Sequence, residues 1–364
     1  MKGWAASAQL PQFPWDRLAP YGATARGHGG GIVDLSIGTP VDPTPAVVQD
    51  ALRAAADAPG YPLTVGSPAL REALVRWSNR RLGAAVTEAN VVPCIGSKEL
   101  VSLLPSLLGL TGTKVLLPAL AYPTYDVGAR LAGCEPVATD DPTSFDPRGV
   151  GLVWLNSPSN PTGEVLSAER LKAVVDWGRE HGVLIASDEC YLELDWEAEP
   201  VSVLHPSVSG GSSDGVLALH SLSKRSNLAG YRAGFAVGDA TAVALVVEAR
   251  KHIGLLPPAP VQAATVAALA DDAHVAEQKA RYLARREVLK PAVEKAGFRV
   301  EHSEAGLYLW ATRDEDCWQT VGWLAQQGIL AAPGEFYGEA GRRHVRLALT
   351  ATDERIAAAA ERLS

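Results

Sequence analysis

The chain has 364 residues, 47% of them hydrophobic and 20% charged, with a formal net charge of −8. That length suggests two domains or one large α/β unit, with enough apolar sequence to bury a sizeable core. The acidic balance excludes the clustered basic footprint of a nucleic-acid-binding protein, and no apolar run reaches the roughly 18 residues of a membrane helix.

In chain order, residues 1–16 lack the basic start and long apolar core of a secretory signal. The Gly27-His28-Gly29-Gly30-Gly31 stretch reads as a flexible connector. From about residue 90 to 255, short apolar runs alternate with helical patterns. The runs predict strands over 91–94, 114–117, 151–155, 183–186, 216–219 and 233–237, with helices over 97–108, 168–180 and 241–250. Such alternation specifies a mainly parallel central sheet with helices on both faces, and ligands bind such sheets at the carboxyl ends of their strands. After Pro257-Pro258-Ala259-Pro260 the texture changes. One long helical stretch over 261–296, broken near Pro291, precedes strands over 298–301, 307–311 and 344–349. The expected organisation is α/β, with a large domain over 42–254 and a smaller α+β domain formed by 255–364 and the N-terminal arm, 1–41. The four cysteines, Cys94, Cys134, Cys190 and Cys317, form no C-x-x-C pair, so neither a disulfide framework nor a metal site is expected, and a cytoplasmic setting fits.

The predicted strands end in residues of one chemistry. The first leads into Gly96-Ser97-Lys98, whose free N–H groups at a helix start favour a phosphate; a Gly-Ser turn is also an ordinary helix cap. The next leads to Tyr122, a ring able to stack on a flat ligand or simply to pack in a turn. The third enters Asn156-Ser157-Pro158-Ser159-Asn160-Pro161-Thr162-Gly163, a turn made rigid by its prolines and glycine, which fixes the Asn160 amide. The fourth delivers Asp188 and, three residues on, Tyr191. The fifth delivers Ser221-Leu222-Ser223-Lys224, with Arg232 eight residues beyond. An amine beside hydroxyls and a guanidinium can hold an aldehyde and a phosphate together. Far down the chain, alternation in His344-Val345-Arg346-Leu347 sets Arg346 on the face opposite Val345 and Leu347, where its forked guanidinium suits a carboxylate.

Together, Asn160-Pro161-Thr162-Gly163, Asp188-x-x-Tyr191 and Ser221-x-Ser-Lys224 with Arg232 resemble the fold-type I, class I/II aminotransferases that use pyridoxal phosphate. The resemblance runs from Ser36-Ile37-Gly38-Thr39-Pro40 to Arg346. It implies that Lys224 binds the cofactor covalently and shuttles the substrate proton. It also implies that Asp188 pairs with the pyridine nitrogen, that Asn160 and Tyr191 contact the ring oxygen, and that Tyr122 stacks on the ring. Gly96, Ser97, Lys98, Ser221 and Arg232 would cradle the phosphate, and Gly38, Asn160 and Arg346 would bind the substrate. Tyr61 matches a tyrosine that reaches the phosphate from a neighbouring subunit, which implies a homodimer.

Within the family the chain looks like the actinobacterial N-succinyldiaminopimelate aminotransferases of lysine biosynthesis. The features are Phe13-Pro14-Trp15-Asp16, the segment from Asp34 to Pro43, and the segment from Ala121 to Gly128. This implies transfer of an amino group between glutamate/2-oxoglutarate and N-succinyl-LL-2,6-diaminopimelate/N-succinyl-2-amino-6-oxopimelate. Arg26, Lys98 and Arg250 are the cations offered for the distal carboxylate. The same cofactor shell would serve an aminotransferase of alanine, aspartate or aromatic specificity, or a C–S lyase. A ligand-sensing module on this scaffold would carry an added DNA-binding domain, and the short Gly/Pro-rich stretch before the core gives that reading little weight.

Overall fold

The computed structural model describes residues 10–364, so the reading of 1–9 as part of a non-secretory start lies outside the described residues. Its strands are β1 (Val33–Asp34), β2 (Val91–Ile95), β3 (Lys114–Leu117), β4 (Glu135–Ala138), β5 (Val150–Asn156), β6 (Leu184–Asp188), β7 (Val216–Ser221) and β8 (Ala233–Gly238), then β9 (Arg299–Glu301), β10 (Tyr308–Thr312), β11 (Ile329–Leu330), β12 (Ala332–Pro333) and β13 (His344–Ala348). The central sheet has seven strands in the order β2-β8-β7-β6-β5-β3-β4. All run parallel except β8, which is antiparallel to both its neighbours.

Both faces of this sheet are covered, and this is why its strands read as unbroken apolar runs. On one face Val153, Ile185, Ala218 and Phe235 pack with Leu70, Leu74 and Trp77 of helix Pro68–Leu82 and with Leu171 and Val175 of helix Ala168–His181. On the other, Leu152, Trp154, Ala186 and Leu217 pack with Leu100 and Leu104 of helix Ser97–Leu107 and with Tyr125 and Val246. Local sequence sets the helix ends. Ser67 and Ser167 accept the N–H groups of Leu70 and Arg170, and Gly83 and Gly182 close the same two helices at φ 67°.

A second core joins Val33 and Leu35 of the N-terminal arm to Trp310, Leu347, Val321 and Ile356. Here β1 pairs in parallel with β11, and β12, β13, β10 and β9 form a four-stranded antiparallel sheet. Helix Ala259–Ala270 follows the expected domain boundary, yet its Ala264, Ala268 and Leu269 are buried in the core of the large sheet.

Three local expectations differ from the structure. The long helix breaks at Asp271-Asp272, where Asp271 is extended and its carboxylate accepts the Ala273 N–H at 2.9 Å. Pro291 lies inside the unbroken helix Ala273–Lys295, four residues from its end, where one backbone bond is lost. The extra strand β4 is a half-exposed edge with no apolar run to announce it. The glycine stretch is tied down, because Gly30 and Gly31 carbonyls accept bonds from Arg355 and Arg362. No helix among the described residues is long and apolar enough to cross a membrane.

Candidate active site

Strands β5, β6 and β7 each extend one or two residues beyond their apolar runs, so that polar residues form the sheet's carboxyl edge. Asn156 pairs with Asp188, and Asp188 with Leu219, two residues short of Ser221. A cavity of about 370 Å³ opens above this edge. It gathers Gly38, Ser97, Lys98, Tyr122, Asn160, Asp188, Tyr191, Ser221, Lys224, Arg232 and Arg346 from eight separate stretches of sequence.

Lys224 follows β7 in the short helix Leu222–Arg225. Its amine donates to the Gly38 carbonyl, a neutral acceptor. Burial pushes its pKa down, and Arg346 and Arg232 act in the same direction. Asp188 is buried and accepts from the Tyr125 hydroxyl at 2.9 Å and the Cys190 N–H at 3.2 Å. Burial raises its pKa while those bonds oppose the rise, and no cationic side chain among the described residues pairs with it.

Arg346 is also buried. Its Nη1 donates to Asn160 Oδ1 and its Nη2 to the Ser36 carbonyl, both at 2.8 Å, and its Nε has no partner among the described residues. The guanidinium carbon lies 3.8 Å from the centre of the Tyr308 ring. The Asn160 side-chain oxygen is held by Arg346 and its backbone N–H donates to Asn156 Oδ1 at 2.7 Å, so the side chain is fixed and its NH2 group is left as a donor.

Around the start of helix Ser97–Leu107, Gly96 has φ 76°, and an added Cβ would lie 2.7 Å from the Arg232 guanidinium carbon. Glycine is therefore required both by conformation and by the close approach of Arg232. Ser221 Oγ accepts the Ser223 N–H at 3.2 Å, and Ser97 Oγ accepts from the Cys190 thiol at 3.3 Å. Lys98 Nζ sits 5.9 Å from the ring centres of both Phe13 and Tyr122. Tyr61 is 96% exposed and does not line the cavity of its own chain.

Of the three cations offered for a distal carboxylate, two do not line this chain's cavity. Arg250 is fully buried, with Nη1 2.9 Å from both carboxylate oxygens of Glu99, so it is a structural ion pair. Arg26 is exposed and away from the cavity. Lys98 alone of the three lines it. Sequence reasoning missed Tyr125, Cys190 and Tyr308, and it missed Phe13 and Trp15 as lining residues.

Behind Asp188, Glu189 points to the opposite side of the strand. Its Oε1 accepts the Val203 N–H at 2.8 Å, while Oε2 has no hydrogen bond among the described residues and lies 3.6 Å from His220 Nε2. Burial raises the Glu189 carboxyl from 4.5 to about 7, and burial lowers His220 to about 3, so this pair is neutral in moderately acidic solution. A carboxyl whose folded pKa exceeds its unfolded one binds more protons when folded. Stability is therefore full below the unfolded value and falls as pH rises from 4.5 towards 7. Glu189→Gln removes that fall. Relative to the parent, the variant should gain up to roughly 3 kcal/mol in unfolding free energy between pH 5 and pH 8. Denaturant titrations at the two pH values measure the difference, and an equal offset at both would refute the assignment.

The comparisons with known proteins agree with this geometry. Residues 31–363 match the family model described as aminotransferase class I and II. The chain is 60% identical over 360 residues to "Probable aminotransferase Rv1178" of Mycobacterium tuberculosis, covering 98% of this chain and 86% of that one. It is 57% identical over 357 residues to "4-dedimethylamino-4-oxo-anhydrotetracycline transaminase OxyQ" of Streptomyces rimosus, covering 98% and 99%. Among solved structures it is similar to a probable N-succinyldiaminopimelate aminotransferase from Thermus thermophilus, with a TM-score of 0.87 and 29% identity over 96% of this chain and 98% of that one. The chain belongs to the class I and II aminotransferases, a family of fold-type I enzymes that depend on pyridoxal phosphate.

Proposed function

We propose that this aminotransferase exchanges an amino group between glutamate and N-succinyl-2-amino-6-oxopimelate, forming N-succinyl-LL-2,6-diaminopimelate. The observation that carries this reading is the charge of the cavity. Among the described residues its lining holds four cations, Lys98, Lys224, Arg232 and Arg346, against one carboxylate, Asp188. A bound phosphate balances Arg232, and an α-carboxylate balances Arg346. Lys98 is then left at the mouth for a second substrate anion, between the rings of Phe13 and Tyr122.

The residues present fit pyridoxal phosphate. Asp188 is a buried carboxylate without a cation, which a protonated ring nitrogen would supply. Gly96 leaves the space beside Arg232, where a phosphate fits against the first N–H groups of helix Ser97–Leu107. Tyr122, Asn160 and Tyr191 line the same cavity, where Tyr122 would stack on the ring and the Asn160 NH2 and the Tyr191 hydroxyl would contact the ring oxygen. Bound cofactor supplies an aldehyde that takes up an amine and a ring that draws electrons from the substrate's Cα–H bond. The chain's part is to hold and move the proton. Lys224 Nζ, whose proton affinity is lowered by its buried setting, takes the proton from the substrate Cα, while Arg346 and Asn160 fix the α-carboxylate so that this hydrogen faces the amine. Tyr61, exposed and outside its own cavity, fits a role in the site of a second copy, making the working unit a homodimer.

A second reading rests on the transaminase of Streptomyces rimosus, whose name specifies a polycyclic oxo substrate and whose length is matched almost completely. The aromatic mouth formed by Phe13, Trp15 and Tyr122 suits such a flat ketone. Steady-state rates with N-succinyl-LL-2,6-diaminopimelate, alanine, aspartate and an aromatic amino acid, each with 2-oxoglutarate, decide the matter. The succinylated substrate should give the highest kcat/KM, and Lys98→Met should raise its KM by about tenfold while leaving alanine unchanged. A succinylated substrate no better than alanine would overturn the first reading. Turnover confined to a polycyclic ketone would establish the second.

A further inference from the structure

Tyr308 belongs to no motif and lies in an apolar strand, yet it touches three parts of the site. Its hydroxyl is 3.1 Å from that of Tyr191. Its ring lies under the Arg346 guanidinium at 3.8 Å. Its phenol end also lies close against Gly38: a Cβ added there would be 2.9 Å from Tyr308 Cε1 and Cζ and would collide with the hydroxyl itself. The carbonyl of the same glycine takes the Lys224 amine, so one backbone unit separates the phenol from the reactive nitrogen.

We propose that Tyr308 is a positioning residue with two separable roles: its ring orients Arg346 for the α-carboxylate, and its hydroxyl, paired with Tyr191, sets the proton affinity at Lys224. The first role follows from geometry. A guanidinium stacked on a ring loses its freedom to rotate, and its two terminal nitrogens are already aimed at Asn160 and Ser36. The second follows from proton counting. Two facing hydroxyls share one donor hydrogen, so the acceptor of the pair must direct its own proton elsewhere. Titratable or charged groups face Tyr308 from several elements: Tyr191 and Cys190 after β6, Lys224 after β7, Arg346 on β13, and Tyr122 and Tyr337 beyond. Burial raises its pKa, but Arg346 and Lys224 outweigh that and leave it lowered, whereas Tyr191 is raised well above the usual phenol. Tyr308 is thus the more acidic member of the pair and the one beside the amine, whichever hydroxyl donates.

The roles rest on the assignment of Lys224 and Arg346 made above but not on which distal group is bound, so glutamate alone suffices as substrate. Tyr308→Phe keeps the ring and removes the hydroxyl. In the holoenzyme without substrate, the pH midpoint of the cofactor's visible absorbance should fall by about one unit, because a group that favours the protonated nitrogen is gone. The glutamate half-reaction should slow about tenfold with little change in the glutamate concentration giving half-maximal rate. Tyr308→Leu removes the ring as well, and should raise that concentration a further ~10-fold. An unchanged absorbance midpoint in Tyr308→Phe overturns the proton role. Equal half-saturation in Phe and Leu variants overturns the orienting role. A different preferred acceptor would change neither result.

Discussion

Lys224→Ala is expected to leave no measurable transamination and to abolish the yellow colour of the cofactor-loaded protein. The loss should exceed the roughly 10²–10⁴-fold that general acid–base catalysis alone contributes, because the same nitrogen serves as both attachment point and base. No neighbour can take over. Lys98, the other cavity amine, is held over the Phe13 and Tyr122 rings, and Arg232 and Arg346 stay charged at any working pH. The fold should survive, since the amine's bond is to a single backbone carbonyl of Gly38. Lys224→Arg preserves the positive charge and should be equally inactive. Near-parental activity in either variant, with the protein folded by circular dichroism, would remove Lys224 from the mechanism.

Arg346→Lys should lower kcat/KM for every α-amino acid by about 10²–10³-fold, mostly through KM. The substitution keeps one positive charge but loses the fork that spans Asn160 and Ser36, and it loses the flat face that stacks on Tyr308. A lysine would also be enclosed without an acidic partner, and such burial drives the amine towards its neutral form. A primary amine lacking a carboxylate provides the control, since its poor rate should be almost the same in parent and variant. An unchanged KM for glutamate would show that the guanidinium is structural.

The strand ends carrying Asn156, Asp188 and Ser221 were legible because a covered parallel sheet demands apolar runs, and the chemistry begins where those runs stop. Strand β4 was not, because Glu135-Pro136-Val137-Ala138 lies at an edge and buries little. Tyr308 was hidden for the converse reason: Leu307 to Ala311 is uniformly buried, so its tyrosine reads as core. Arg250 stayed among the cations offered for a distal carboxylate because its partner Glu99 is 151 positions away in sequence. The break at Asp271-Asp272 was masked by the louder signal of Pro291, although Asp271, whose carboxylate accepts the first N–H of the next helix, marks the stop. Tyr125 sits three residues after Tyr122, but only the packed sheet shows that its hydroxyl meets Asp188.

The reversed direction of β8 has a consequence for how the phosphate end of the site is assembled. In a sheet whose other strands all run one way, residues that precede a strand lie at the opposite rim from those that follow one. Because β8 runs against its neighbours, its first residues lie at the carboxyl rim: Ala233 pairs with Ile95, and Gly234 with Ser221. Arg232 is thus delivered beside Gly96 by the chain's approach to β8 rather than by its exit. Had β8 been parallel, six residues at about 3.3 Å each would have carried this guanidinium ~20 Å away, to the far rim of the sheet. The eight-residue spacing from Lys224 to Arg232 is then a measure of topology: it is the length of one hairpin-like return that keeps both cations on the same shore.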